Sequence, residues 1–238
     1  MAKAVNIGSL VKESLDLLEP EQTVAVHATS IEAVIAMLGK SRLMVEPFSY
    51  VPNKLHEDYL FFTPHVKHFE SHPLAKVLLV GFMSSYSWEK TLRQGAGPGE
   101  RVAQCHYLTS QFGYYDVNFL DLPFYTGQDF PSPSAYTQEL RYMNDLIKSM
   151  EPKGFSRERC LEILAEANRR KGVLLGVGSS IFEFRIEEGK DDPEGEVCIF
   201  LPAGLDLKYF NSIVPIGSIE KRMLNDYLVQ RNSGNSEC

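Results

Sequence analysis

The sequence predicts one domain of the mixed α+β class, and three observations support this. Hydrophobic residues make up 44% of the 238 residues and charged residues 23%, the composition of an ordinary globular protein. Apolar runs with strand character are interspersed with segments of helical spacing. No internal repeat or low-complexity linker divides the chain, so we assign residues 1–230 to one domain. Residues 231–238, rich in serine, asparagine and glycine, are a predicted disordered tail.

Composition also narrows the classes of function. No apolar run is long enough to span a bilayer, and the first residues lack the hydrophobic region of a signal peptide. We expect a cytoplasmic protein with no membrane partner, although a bacterial effector or toxin exported by a non-classical route would look the same. The four cysteines have no paired spacing, which favours reduced thiols. A net charge of −7 disfavours non-specific nucleic-acid binding, and Arg169-Arg170-Lys171 is interpreted as a solvated helix end.

A strand followed directly by a helix is the predicted element around which the chain is organised. Residues 24–28 form an apolar, β-branched run typical of a buried strand, and residues 31–38 repeat apolar side chains at helical spacing. Thr29 or Ser30 can cap this helix. His27 and two hydroxyl groups therefore come where a strand ends and a helix begins. Backbone N–H groups are free at such a junction, and small polar ligands are commonly held there.

The remaining elements follow from similar local signals. Glu32 suits the dipole of the helix that follows His27, and Gly39 is expected to end that helix. Ser156 is the expected cap of a later helix. The predicted helices are residues 8–18, 65–72, 134–150, 156–170 and 220–230. The predicted strands are residues 58–64, 76–82, 101–108, 113–122, 173–178, 180–186, 197–201 and 210–216, with exposed loops at 84–100 and 123–133.

Three segments, in order, carry residues suited to chemistry. His27-Ala28-Thr29-Ser30 ends the first strand, and Leu60-Phe61-Phe62-Thr63 is an aromatic strand. Glu196 opens a buried strand, after which the chain turns through Leu207-Lys208-Tyr209. Together they resemble the motifs of the ADP-ribosyltransferase superfamily, most closely its histidine–tyrosine–glutamate branch, which includes the poly(ADP-ribose) polymerases and diphtheria-like toxins. The matching motifs are His-Gly-Thr/Ser, an Ile-Tyr-Phe-Ala strand and the catalytic-glutamate strand, and they cover about a quarter of the chain.

The resemblance implies a fold and a substrate. The expected fold is an ADP-ribosyltransferase-like split mixed β-sheet with flanking helices, which would hold NAD as a substrate. Glu196 would be the catalytic residue, accepting a hydrogen bond from the ribose 2′-hydroxyl and stabilising the oxocarbenium-like ribose as nicotinamide leaves. Glu194 is close enough in the chain to compete for this role. His27 would bond to a ribose hydroxyl on the adenosine side and orient NAD.

The same resemblance assigns residues to the nicotinamide end of NAD. The backbone of Ala28 would hold the carboxamide, with the hydroxyl of Thr29 or Ser30 as a helper. An aromatic residue would stack on the nicotinamide ring. The candidates for that residue are Phe61 and Phe69.

The implied activity is ADP-ribosyl transfer from NAD to a macromolecular acceptor, or simple NAD hydrolysis. The acidic composition favours protein over nucleic acid as the acceptor. Ala28 stands where the family has glycine and Phe61 where it has tyrosine, which favours an alternative, a non-catalytic binding module on the same fold. A lesser alternative is RNA 2′-phosphotransfer to NAD. The net negative charge of the chain and the lack of a clear arginine pair count against this alternative.

Two other groups of residues are interpreted as structural. His65, His68 and His72, with His56 nearby, could share one helix face, but the chain has no accompanying metal-ligand spacing, so no metal site is assigned. Cys105 and His106 are adjacent on a predicted strand and would point to opposite faces. They therefore would not form a nucleophile–base pair directly, and a cysteine hydrolase using Cys105 with a distant histidine is a minor option.

Overall fold

The computed structural model describes residues 7–13, 22–44, 59–64, 98–112, 143–188 and 197–234. The described strands are β1 (Ala25–Thr29), β2 (Arg42–Leu43), β3 (Tyr59–Pro64), β4 (Val173–Val177), β5 (Ile186–Glu188), β6 (Val197–Phe200), β7 (Leu205–Asp206) and β8 (Phe210–Pro215). The described α-helices are α1 (Ile7–Leu10), α2 (Ile31–Lys40), α3 (Pro98–Phe112), α4 (residues 143–150), α5 (Arg157–Ala167) and α6 (Ser218–Gly234). Short 3₁₀ helices occupy Glu151–Lys153, Ser179–Glu183 and Leu207–Tyr209.

Six of these strands form a sheet in the order β5-β6-β3-β1-β4-β8, while β2 and β7 pair separately. Helices combined with this sheet confirm the predicted α+β class. Each ladder between described strands is antiparallel, whereas a mixed sheet was expected. A parallel bridge joins Val11 to Ile213. The predicted mixed character is therefore wrong for the described strands, because their neighbours in the sheet run in opposite directions.

Each face of the sheet packs against its own set of helices. On one face, Leu175 and Ile213 pack with apolar residues of α2 and α6, and this is the larger core. On the other face, Val26, Leu174 and Val214 form a small buried cluster, and α3 contacts β1 and β4. Helices α3, α4 and α5 share a second core of their own. Its buried members are Leu108, Phe112, Leu146, Ile147, Met150, Cys160, Ile163, Leu164 and Ala167.

Several predicted elements are confirmed with small shifts of their bounds. The strands predicted at 24–28, 58–64, 173–178, 197–201 and 210–216 are β1, β3, β4, β6 and β8. Ser156 caps α5 as expected, its Oγ accepting from the backbone N–H of Arg159 at 3.2 Å. Helix α2 continues past Gly39 to Lys40, and its C-cap Ser41 adopts the left-handed conformation with φ 56°. Residues 143–150 of the helix predicted at 134–150 are helical.

The strand predicted at 101–108 is wrong, because these residues lie within α3. Pro98 begins this helix rather than marking a loop. Proline suits this position because it has no backbone N–H, and the N–H groups of a first turn have no partner within the helix. Gln104, Leu108 and Phe112 are buried at four-residue intervals, the spacing of one helix face. Cys105 and His106 therefore belong to a helix, and they do not lie on opposite faces of a strand as predicted.

Other boundaries differ for reasons of tertiary contact. Helix α1 ends at Leu10 rather than continuing, since the backbone N–H of Lys12 donates to Ile213 at 2.9 Å and draws the chain to β8. The strand predicted at 180–186 is mostly a 3₁₀ turn, in which Phe184 N–H donates to Ile181. Helix α6 runs to Gly234, into the predicted tail, because Arg231 donates to the carbonyl of Leu38 at 2.7 Å.

Some predicted elements lie outside the described residues. These are the helix at 65–72, the strands at 76–82 and 113–122, the loop at 123–133 and all but the last three residues of the loop at 84–100. None of the described helices combines the length and the apolar character needed to cross a bilayer.

Candidate functional site at the junction of β1 and α2

The junction between β1 and α2 has the strand–cap–helix geometry that the sequence predicts. Ser30 is extended, with φ −84° and ψ 158°, and its Oγ accepts from the backbone N–H of Ala33 at 3.2 Å. This bond satisfies one of the helix's free N–H donors. Ser30 is fully buried and Thr29 is 4% exposed. The hydroxyl of Ser30 therefore fixes the start of α2 and is shielded from a ligand by its burial.

His27 lies three residues before this cap and packs against an aromatic ring from the neighbouring strand. It is half-buried, and its imidazole centroid lies 5.4 Å from that of Phe62, with the ring planes tilted by 48°. Phe62 itself is fully buried in the larger core. The contact restricts the orientations open to the imidazole. His27 thus combines a fixed ring with partial access to solvent, which a ligand-orienting residue needs.

The sheet changes partners beside His27. Between β1 and β3 the described ladder consists of Ala25 with Pro64 and Val26 with Thr63. The rest of β3, from Tyr59 to Phe62, pairs with β6. Strand β1 continues its pairing with β4 along its whole length. The described sheet is therefore joined at two residue pairs and separates into two halves where His27 begins.

Each predicted site residue can now be located. His27, Ala28, Thr29 and Ser30 lie together at the junction, and the backbone of Phe61 pairs with Cys198 in β6. We call His27, Ala28, Thr29, Ser30 and Phe62 the junction site. Glu196, Glu194 and Phe69 lie outside the described residues, as do His56, His65, His68 and His72. Among the residues that the structure describes, no group of three or more histidine, cysteine, aspartate or glutamate residues could hold a metal ion.

Phe62 and Arg170 are the residues that reasoning from the sequence missed. The sequence suggested Phe61 or Phe69 as the ring that would stack on nicotinamide and gave Phe62 no role at the site, yet the ring of Phe62 lies beside His27. Arg170 was interpreted as part of a solvated helix end, which is wrong, since it is 7% exposed and ion-paired with Glu32 at 3.1 Å. The partners lie 138 residues apart. No local pattern could have revealed that pair.

A buried acidic residue of α6 bonds to the segment that precedes β4. Oε1 of Glu220, a fully buried residue, accepts from the backbone N–H groups of Lys171 and Gly172 at 2.9 and 3.1 Å. Its Oε2 is buried and has no hydrogen-bond partner in the described structure. Gly217 leaves room for this carboxylate, because a Cβ there would collide with Oε2. These bonds fix the turn that leads from Arg170 into β4.

Two titrating groups of α5 have shifted pKa values. The pKa of Glu158 falls below its ordinary 4.5, mainly because its own backbone N–H donates to the carboxylate and then because of Ser156. Burial raises the pKa of the Cys160 thiol, and the charge of Glu151 adds to this. A raised pKa keeps a thiol protonated at neutral pH, so Cys160 is suited to packing rather than to nucleophilic attack.

No family model, curated protein or solved structure matches the chain. The features of the described structure that bear on function are the junction site and the half-sheet beside it.

Proposed function

We propose that the junction site binds NAD and that the protein transfers ADP-ribose from NAD to a macromolecular acceptor. In the absence of an acceptor, the proposed reaction is hydrolysis of NAD. The observation that carries the proposal is the separation of the sheet at His27. Strand β1 pairs on both sides for two residues and then pairs with β4 alone. It therefore offers unpaired backbone groups in the middle of the sheet, where usually only edge strands have them. Such an edge is suited to a ligand that bonds to backbone groups.

The start of β6 lies across β3 from this edge. Val197 is the first residue of β6 and pairs with Phe62, whose ring contacts His27. Glu196 directly precedes Val197 in the chain. This order supports the proposal that Glu196 serves a ribose held near His27.

In the proposed reaction Glu196 and His27 have separate roles. NAD supplies a ribose that becomes cationic as nicotinamide leaves, and a carboxylate beside it lowers the energy of that charge. Glu196 is the proposed carboxylate, accepting a hydrogen bond from the 2′-hydroxyl. His27 binds a ribose hydroxyl on the adenosine side. Packing against Phe62 lowers the entropy that the imidazole loses on binding.

The methyl group of Ala28 is compatible with this site. Ala28 packs against the small cluster of Val26, Leu174 and Val214, on the face of the sheet that α3 covers. Phe62, which contacts His27, belongs to the core of the opposite face. Since neighbouring residues of a strand point to opposite faces, the methyl is directed away from the His27 side. The backbone of Ala28 can therefore serve the carboxamide without steric conflict there.

A non-catalytic NAD-binding or interaction module is the second candidate. The observation that favours it is the burial of both hydroxyls, Thr29 and Ser30, which were expected to assist at the nicotinamide end. Without them the backbone alone would hold the carboxamide. Such a site would bind NAD without directing its cleavage.

Release of nicotinamide from NAD, followed chromatographically, tests the first proposal, and thermal stabilisation by NAD tests binding. Glu196→Gln and His27→Gln should each lower release, by about 100-fold for a charge-stabilising group. Glu162→Gln, an exposed residue of α5, is the matched control and should leave the rate unchanged. Stabilisation by NAD with no release in the wild type would support the non-catalytic module. Neither stabilisation nor release would refute both.

A further inference from the structure

Arg170 connects four helices from a buried position. Its Nη1 lies 3.1 Å from Oε1 of Glu32 in the first turn of α2, and its Nη2 lies 3.7 Å from Oε1 of Glu166 in α5. Its guanidinium carbon lies 4.4 Å from the centroid of the Tyr107 ring in α3. The sulfur of Met223 in α6 is 3.5 Å from Nη1. The residue thus contacts the helices of both hydrophobic cores.

Stability alone does not account for this arrangement. Removing a guanidinium from water is costly, and apolar replacements of buried ion pairs are often as stable as the pair or more so. The Nε of Arg170 is buried with no hydrogen-bond partner among the described residues, so the cost is only partly offset. What the guanidinium does provide is direction, because its donors form a rigid planar fork. Glu32 and Glu166 are held at fixed positions relative to that fork.

The position of Glu32 determines what this fork controls. Glu32 is the second residue of α2, directly after Ile31 and the Ser30 cap. The bond from Ala33 to Ser30 makes the first turn of α2 continuous with the end of β1. A movement of Glu32 relative to α3 and α5 therefore moves the backbone of Ala28–Ser30 as well.

We propose that Arg170 is a positioning residue for the junction site, which holds the first turn of α2 against α3 and α5 and so sets the geometry of His27 and of the Ala28 backbone. This proposal rests on the proposed function for its catalytic consequence. Its structural part, the orientation of the junction, is measurable without NAD. Misplacement by about 1 Å is enough to cost a reaction about 100-fold.

Arg170→Lys is the primary variant, since it keeps the charge and removes the fork. We expect the rate of nicotinamide release at low NAD to fall at least about tenfold. The NMR signals of the His27 ring, assigned with His27→Gln, should shift in the folded protein. Arg169→Lys is the matched control, because Arg169 is adjacent, is exposed, and lies 3.6 Å from the same Glu166. It should change neither readout.

Glu32→Gln breaks the same contact from the side of α2. Because the Glu32 side chain is 43% exposed, we expect this variant to fold even if the Arg170 variant does not. It should produce a similar shift of the His27 signals. Lower thermal stability of Arg170→Lys with unmoved His27 signals would overturn the proposal and leave Arg170 a purely structural residue. If the wild type releases no nicotinamide, the proposed function fails, while the His27 signals still decide the role of Arg170.

Discussion

Two serine caps of nearly identical geometry allow the contribution of burial at the junction site to be measured. Ser30 caps α2 and Ser156 caps α5, each with Oγ accepting from a backbone N–H at 3.2 Å and with ψ of 158° and 157°. The helices are also similar, with 10 and 11 residues. The caps differ in exposure, since Ser30 is fully buried and Ser156 is exposed.

Removal of each hydroxyl should therefore have a different cost. In Ser156→Ala, water can replace the lost acceptor, so we expect a decrease in the free energy of unfolding of about 0.5–1 kcal/mol. In Ser30→Ala the N–H of Ala33 loses its partner at a buried site, so the decrease should be about 2 kcal/mol. The difference of about 1–1.5 kcal/mol corresponds to roughly 2–6 °C in the thermal midpoint of a chain of this size.

Urea unfolding followed by circular dichroism is the appropriate assay, because it gives the free energy and its denaturant slope for each variant. Unchanged slopes would show that the two variants unfold from comparable states. Equal costs for the two substitutions, or a larger cost for Ser156→Ala, would refute the reasoning that burial makes the Ser30 hydroxyl part of the architecture of the junction.

Two further predictions follow from the described contacts. Gly217→Ala should lower the free energy of unfolding by about 1–3 kcal/mol, because its Cβ would collide with the buried Glu220 carboxylate. Gly39→Ala should raise the free energy of unfolding by about 0.5–1 kcal/mol, because Gly39 lies in a helix and the atom nearest to a Cβ there is 3.8 Å away. Urea unfolding measures both values, and a Gly217→Ala variant as stable as the wild type would contradict the assigned packing. The pKa of Glu158 is lowered in the folded state, so its ionised form stabilises the fold above the ordinary value of 4.5 and this contribution is lost as the pH falls through the lowered pKa. Glu158→Gln should therefore flatten the loss of thermal stability in the acid range, and an unchanged pH profile would refute the assignment.

The junction could be predicted from the sequence because its determinants are local. The cap, the acidic first turn and the apolar spacing of α2 lie within about ten residues, and each signal supports the same structure. Helix α3 was mispredicted for the opposite reason. Its tyrosine and valine content suggests a strand, while its helical state is supported by packing against β1 and against α5, which the sequence does not reveal.

The candidate site shows the same division between local and distant determinants. His27 and Ser30 could be identified from their neighbours in the chain. The contact of His27 with Phe62 depends on how β3 is shared between β1 and β6. The ion pair of Arg170 with Glu32 depends on how the segment after α5 meets the first turn of α2. Strand register and helix packing are set by tertiary contacts, so residues that act on the site from a distance could not be predicted.

The way β3 is shared explains why a polar residue is tolerated in the middle of the sheet. Central strands are usually buried on both sides, and an imidazole among them would need a partner or access to water. The β1–β3 ladder ends one residue before His27, and Phe62 covers one part of the ring while another part remains accessible. The end of the β1–β3 ladder beside a partly exposed His27 therefore explains how an imidazole is accommodated in a central strand.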